Sequence, residues 1–178
     1  AGETADPATW TWTSADSLFL QMLTEAHARD IRVVIDGVVN HTGTRFFGFK
    51  DLVEKQQASA FADWYEVNAF DDPDTSENEY DYNGWWGYDA LPVLRDSLDA
   101  DGDPVTLSAG PRQYVFDITR RWMDPDGDGD PSDGIDGWRL DVADEVPTGF
   151  WAEWNDLVFE LNPEAYTVAE TWHDAVDF

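Results

Sequence analysis

Two carboxylates, Asp141 and Glu170, each close a strand-like run: Gly137-Trp138-Arg139-Leu140-Asp141-Val142 and Ala165-Tyr166-Thr167-Val168-Ala169-Glu170. A helix-like stretch over residues 148–161 separates them. The order strand, helix, strand predicts a right-handed crossover between two parallel strands, with both acids on one rim. Functional groups of parallel α/β folds gather at that rim, where two acids can divide the work of nucleophile and proton donor. Alternation turns Arg139 to the same side as Asp141, and its permanent charge favours the ionised carboxylate that a nucleophile needs. Glu170, between Ala169 and Thr171-Trp172, is expected to carry the raised pKa of a proton donor. The plainer alternatives are a structural ion pair of Arg139 with Asp36 or Asp141, and strand-end acids that are merely solvated.

A third strand-like run, residues 31–39, is β-branched and nearly continuous in apolar character, as for a strand buried on both faces, and it ends in Asn40-His41. His41 can donate hydrogen bonds to a hydroxyl-rich ligand. Asn40 can do the same or offer its carbonyl to a metal. Aromatic residues make up 15% of the chain, and Trp85, Trp86, Tyr88 and Trp172 stand beside polar residues in loops, where they could stack on pyranose rings. Trp122, Trp138, Trp151 and Trp154 fit packing positions instead, and His27 reads as a surface residue of the first helix.

Asp124-Pro125-Asp126-Gly127-Asp128-Gly129-Asp130 has acids at alternate positions and glycine sixth, like the first half of a calcium loop, but the twelfth position is Ile135 where a bidentate glutamate is wanted. Calcium held by Asp124, Asp126, Asp128 and the carbonyl of Asp130 stands here against a plain acidic turn. Asp99, Asp101 and Asp103 repeat the alternation more weakly.

Around these residues the pattern predicts a helix capped by Ser14 and running to about residue 29, then the strand over 31–39. An excursion of poor periodicity follows over 42–110, with a short helix near 58–64. A helix then starts at Pro111 with Val115, Ile118 and Trp122 on one face, and an acidic turn over 124–136 leads to the last strand, helix and strand. This is an α/β pattern in three segments, 1–41, 42–110 and 111–178. Three parallel strands make either a small open sheet or a slice of an eight-stranded barrel. The 178 residues, 42% of them hydrophobic, suffice for one core. A formal charge of -28, from 38 acids and 10 bases, disfavours nucleic acid, anionic membranes and phosphorylated substrates, and suits a neutral ligand or a surface hydrated in high salt. The absence of cysteine removes disulfides and thiolate metal sites. No signal-peptide pattern opens the chain and no apolar run is long enough to span a membrane; a secreted or periplasmic setting is compatible with the composition, which does not fix the compartment.

Asp36-Gly37-Val38-Val39-Asn40-His41, Gly137-Trp138-Arg139-Leu140-Asp141-Val142-Ala143-Asp144-Glu145 and Val168-Ala169-Glu170-Thr171-Trp172, in this order and spacing, resemble three signatures of the α-amylase family of glycoside hydrolases. Gly-Trp-Arg-Leu-Asp-Val-Ala, Glu-Thr-Trp-His and Gly84-Trp85-Trp86-Gly87 are most similar to its cyclomaltodextrinase, neopullulanase and maltogenic amylase branch. The resemblance implies strands three to five of a (β/α)8 TIM barrel, with 42–110 as the B domain after strand three. It also implies a retaining mechanism on an α-glucan or maltooligosaccharide: Asp141 as nucleophile, Glu170 as general acid and base, Arg139 positioning the nucleophile and His41 contacting the sugar. The family's third catalytic Asp would lie beyond residue 178. Leu91-Pro92-Val93-Leu94-Arg95 departs from the acid many relatives carry after Leu-Pro, against the usual B-domain calcium. Alone, three strands are expected to be marginal, oligomeric or part of a longer chain, and not to hydrolyse glucan. Other readings are a silent relative that binds carbohydrate or a partner, and a metal-dependent barrel lyase or isomerase. α-1,4 or α-1,6 preference, cyclic or linear substrate, and hydrolysis or transfer stay open.

Overall fold

The computed structural model describes residues 4–172, so His173, the last residue of Glu-Thr-Trp-His, lies outside the described residues. Helix α1 (Ser14–His27) is capped by Thr13, not Ser14: the Thr13 hydroxyl accepts the Asp16 N–H, and the Asp16 carboxylate accepts the Thr13 N–H at 2.8 Å. This reciprocal box satisfies two donors that a helix start otherwise leaves unpaired. His27 at its end is no free surface residue. Its ring nitrogens lie 2.9 Å from the Asp136 carboxylate and 3.0 Å from the Ser132 carbonyl, fastening α1 to the acidic turn.

Strand β1 (Val34–Val38) is shorter than the apolar run suggests and is not buried on both faces: Val34 is 38% and Val38 47% exposed. Among the described residues it is an edge strand with a ladder partner on one side only, so part of its apolar surface stays uncovered.

The excursion shares the core of the rest of the fold, with the rings of Phe46, Phe47 and Trp64 set against Tyr114. Helix α2 (Phe47–Lys55) forms where the periodicity is poor, while residues 58–64, read as helix, are a short 3-10 end and turns. A nine-residue helix is marginal by itself and depends on tertiary contacts. Buried Phe49 supplies them, with ring centroids 5.1 Å from Tyr65 and 4.9 Å from Tyr82. Strands β2 (Val67–Ala69) and β3 (Asp81–Tyr82) pair antiparallel, as do β4 (Asp96–Leu98) and β5 (Pro104–Leu107). Bridges from Val93 to His41 and from Leu94 to Tyr65 tie this unit to the chain leaving β1.

Helix α3 (Ala109–Met123) starts two residues before Pro111, and β6 (Gly137–Asp141), α4 (Thr148–Leu161) and β7 (Tyr166–Ala169) complete the fold. The three long-crossover strands form one parallel sheet in the order β1-β6-β7, in which Asp36 faces Arg139, Val38 faces Asp141 and Leu140 faces Ala169. Helices α3 and α4 meet through Phe116 and Phe150, and the buried Trp154 indole donates to the Thr119 hydroxyl at 2.9 Å. Trp138, Trp151 and Trp154 are buried as expected, while Trp122 is only partly covered, edge-on to Phe19 and Trp12. Burying each such aromatic contributes on the order of 2 kcal/mol or more to holding the strands, and with them the rim, in register. Among the described residues, no helix is long and apolar enough to cross a membrane.

Candidate active site

Parallel pairing puts the C-terminal ends of β1, β6 and β7 side by side, and one guanidinium joins the acids of all three. Arg139 Nη1 donates to both oxygens of Asp36 (2.7 and 2.9 Å) and to Asp141 (2.7 Å), while Nη2 lies 2.7 Å from Glu170. The two ion pairs weighed as alternatives, to Asp36 and to Asp141, therefore coexist, and a third joins them. Hydrogen-bond lengths and the width of a guanidinium hold the bridged oxygens of Asp141 and Glu170 within roughly 8 Å of each other. Three carboxylates around it push the Arg139 pKa up, Asp36 contributing most, so this cation does not titrate.

Glu170 differs from the expectation for a proton donor: its carboxyl is held below the usual range. The main cause is the backbone N–H of Val142, which donates to Oε2 at 3.2 Å, and the Trp172 side chain and Arg139 act in the same direction. With the side chain 32% exposed, burial is too slight to reverse them. The Val142 residue after the nucleophile candidate is itself unusual. It is buried, β-branched and left-handed (φ 41°, ψ 50°), and ends the strand before a 3-10 turn over Ala143–Glu145.

His41 and Asn40 are buried beside this cluster. Burial lowers the His41 pKa, partly opposed by the charge of Asp141. The ring is therefore neutral at pH 7, and the 3.3 Å contact from the Asn40 amide to Nδ1 assigns its proton to Nε2. The His41 ring stacks on Trp85 (5.3 Å, 14°), Trp85 on Trp86 (5.0 Å, 23°), and Trp172 stands edge-on to Trp86 (5.1 Å, 85°). Trp86 and Trp172 remain 58% and 56% exposed and make an aromatic corner next to Glu170, and Tyr88, whose N–H donates to the Trp85 carbonyl, is 61% exposed. The loop is built for this. A Cβ on Gly84 would sit 2.3 Å from the Tyr88 carbonyl oxygen, and Trp86 adopts φ 52°, which non-glycine residues rarely take. Asp144, quoted in the second motif without a role, accepts the Trp172 N–H at 2.9 Å and anchors the other wall.

At the opposite rim, between α3 and β6, ligand atoms of Asp124, Asp126 and Asp128 lie within 4.8 Å of one another. Asp124 accepts the N–H groups of Gly127 and Gly129, both of positive φ, which curls the loop around its own acids. The Asp130 side chain does not join them and accepts the Ser132 N–H at 3.0 Å. Asp133 lies outside that group of three but close enough to feel it: its Oδ1 is buried without a hydrogen-bond partner, and its pKa is raised by burial and by the charges of Asp126, Asp124 and Asp128. The weaker Asp99 alternation is a turn: Asp99 accepts the N–H groups of Asp101 and Asp103.

Residues 13–178 match the family profile described as "Alpha amylase, catalytic domain". Neopullulanase 2 of Thermoactinomyces vulgaris is 39% identical over 157 residues, covering 88% of this chain and 24% of that protein. Cyclomaltodextrinase of Geobacillus thermopakistaniensis is 31% identical over 155 residues, covering 87% and 23% respectively. Among solved structures, the debranching enzyme from Nostoc punctiforme superposes with a TM-score of 0.70 at 36% identity, over 90% of this chain and 30% of that one. The chain spans about a quarter of the length of these curated relatives. It belongs to the α-amylase family, as part of the catalytic domain.

Proposed function

We propose that this chain supplies the nucleophile and the acid/base of a retaining glycosidase that cleaves α-glucosidic bonds in maltooligosaccharides or related α-glucans. The observation that carries the reading is Arg139 bridging Asp141 and Glu170 on one rim. In this proposal β1, β6 and β7 are strands three to five of a (β/α)8 barrel, and residues 42–110 are the B domain that walls one side of the cleft. The relatives' names, neopullulanase and cyclomaltodextrinase, point to the same substrate class.

Asp141, kept ionised and oriented by Arg139, attacks the anomeric carbon. The glycosidic oxygen leaves with its electron pair and takes a proton from Glu170. Water then enters, gives its proton to Glu170, and releases the sugar from Asp141 with retained configuration. Glu170 must be protonated for the first step, although Arg139 and the Val142 N–H favour its charged form. A sugar that fills the cleft removes water from the carboxyl and so raises its pKa when the proton is needed. His41, neutral and donating from Nε2, would hydrogen-bond a hydroxyl, with Asn40 fixing its ring, while Trp85 backs His41 and Trp86 stacks on a pyranose face with Trp172 standing at its edge.

The residues at 124–133 fit a calcium ion: three clustered carboxylates and the unpartnered Asp133 oxygen supply hard ligands, with the Asp130 carbonyl as a further one. Such an ion would stabilise the turn entering β6, remote from the catalytic rim. Assaying the complete protein on maltooligosaccharide, pullulan and cyclodextrin, with Asp141→Asn and Glu170→Gln beside it, tests the function. Turnover lost by orders of magnitude in both variants is expected; unchanged rates in either would remove that residue's role.

A further inference from the structure

The left-handed turn at Val142 lies between the two reacting groups of the proposed mechanism. Left-handed backbone is costly for a β-branched residue and persists only where its surroundings impose it. The surroundings here are specific. Ala143 N–H donates to the Glu170 carbonyl (2.8 Å) and Glu170 N–H to the Leu140 carbonyl (2.9 Å), so the β6-β7 ladder continues past both strand ends. Glu145 N–H donates to the Val142 carbonyl (2.9 Å), and the Val142 side chain is 2% exposed. With the chain fixed on both sides, the Val142 N–H leaves the ladder and meets the Glu170 carboxylate at 3.2 Å. An extended residue at 142 would continue the strand instead.

We infer that Val142 is a positioning residue, whose strained turn aims a backbone N–H from beside the nucleophile at the acid/base and fixes where Glu170 points. The inference rests on the glycosidase reading for the word acid/base, and on geometry alone for the positioning. The other charged groups around Glu170 are Arg139, with Asp36 and Asp141 on the same guanidinium, and Asp144 beneath the Trp172 N–H; His41 lies beside Asp141. None of them changes when only the N–H is removed.

In the complete protein, the Val142 amide is replaced by a backbone ester through the α-hydroxy analogue of valine, which deletes the donor and keeps the side chain. The Glu170 carboxyl is followed by 13C NMR titration, its signal identified by Glu170→Gln, alongside the pH profile of kcat/KM on a maltooligosaccharide. Losing a hydrogen bond to the ionised form raises the pKa, so Glu170 should titrate at higher pH in the ester and the alkaline limb of kcat/KM should move up with it. Val142→Gly tests the turn itself. Glycine takes φ of 41° without strain, so Glu170 should titrate as in the parent, and melting should fall less than in Val146→Gly, a buried valine with relaxed φ of -116°. A Glu170 titration unmoved by the ester overturns the inference, as does a Val142→Gly variant that shifts it as far as the ester does. A parent protein that cleaves no α-glucan refutes the glycosidase reading instead, and the NMR titration still decides the positioning.

Discussion

Replacing Trp86 by alanine should weaken sugar binding and leave the chemical step nearly intact. Trp86 is 58% exposed, lies on Trp85 at 5.0 Å and 23°, and has Trp172 at its edge, so one indole face is fixed by protein and the other is open. A tryptophan buries up to about 250 Å²; a pyranose covering half of the open part would remove on the order of 70 Å² from water, close to 2 kcal/mol at 25 cal/mol/Å². Discounted for ordering the sugar and desolvating its hydroxyls, roughly 1 kcal/mol remains, or about fivefold in KM. The assay is steady-state kinetics of the complete protein on a maltooligosaccharide series, with calorimetric binding in an Asp141→Asn background to separate KM from affinity. Trp86→Phe should recover most of the loss. An unchanged KM and affinity in Trp86→Ala would show that the corner is not on the substrate's path, and a fall in kcat alone would place Trp86 in the chemistry rather than in binding.

Calcium should raise the melting temperature of the complete protein, by the equivalent of about 2.7 kcal/mol at a hundredfold excess over Kd, and an Asp126→Ala, Asp128→Ala variant should lose that shift; an equal shift in the variant would move the ion elsewhere. Asp96, in β4, has its carboxyl pushed up to about 6 by burial, with the charge of Glu66 adding. The folded state therefore binds the extra proton between about pH 4 and pH 6, and stability falls as pH rises through that window. Asp96→Asn should melt higher than the parent above pH 6, by roughly 1–2 kcal/mol once partial exposure is discounted, and show no advantage near pH 4; a gain of equal size at both pH values would rule out titration as its cause.

What the sequence discloses and what it hides follow from the range of the forces involved. The helix over 148–161 matches α4 end to end because its apolar periodicity is strong, and the ends of β6 and β7 fall within a residue or so of the expected ones. The meeting of Arg139, Asp141 and Glu170 is likewise legible, since strand alternation and a parallel crossover leave little choice of rim. Helix α2 is not, because nine residues with three aromatic and glycine positions in the first turn carry almost no periodic signal and are held by Phe49 against distant Tyr65 and Tyr82. The cap moves from Ser14 to Thr13 for want of any local rule that separates two adjacent hydroxyls. The ionised state of Glu170 and the left-handed Val142 depend on where β7 stops relative to β6, to within one residue. The pattern Arg-Leu-Asp-Val reads as continuous strand and gives no hint of the turn inside it.

Whether a carboxylate oxygen of Asp141 is the nucleophile that bonds the anomeric carbon is settled by trapping. The complete protein carrying Glu170→Gln is incubated with α-maltosyl fluoride, whose leaving group needs no acid, so the first step proceeds while the second lacks its base. Peptide mapping by mass spectrometry should then find one maltosyl group on the peptide containing Asp141, and none in the Asp141→Asn, Glu170→Gln double variant. A maltosyl adduct on any other residue, or fluoride release with retained configuration from the double variant, would contradict the assignment.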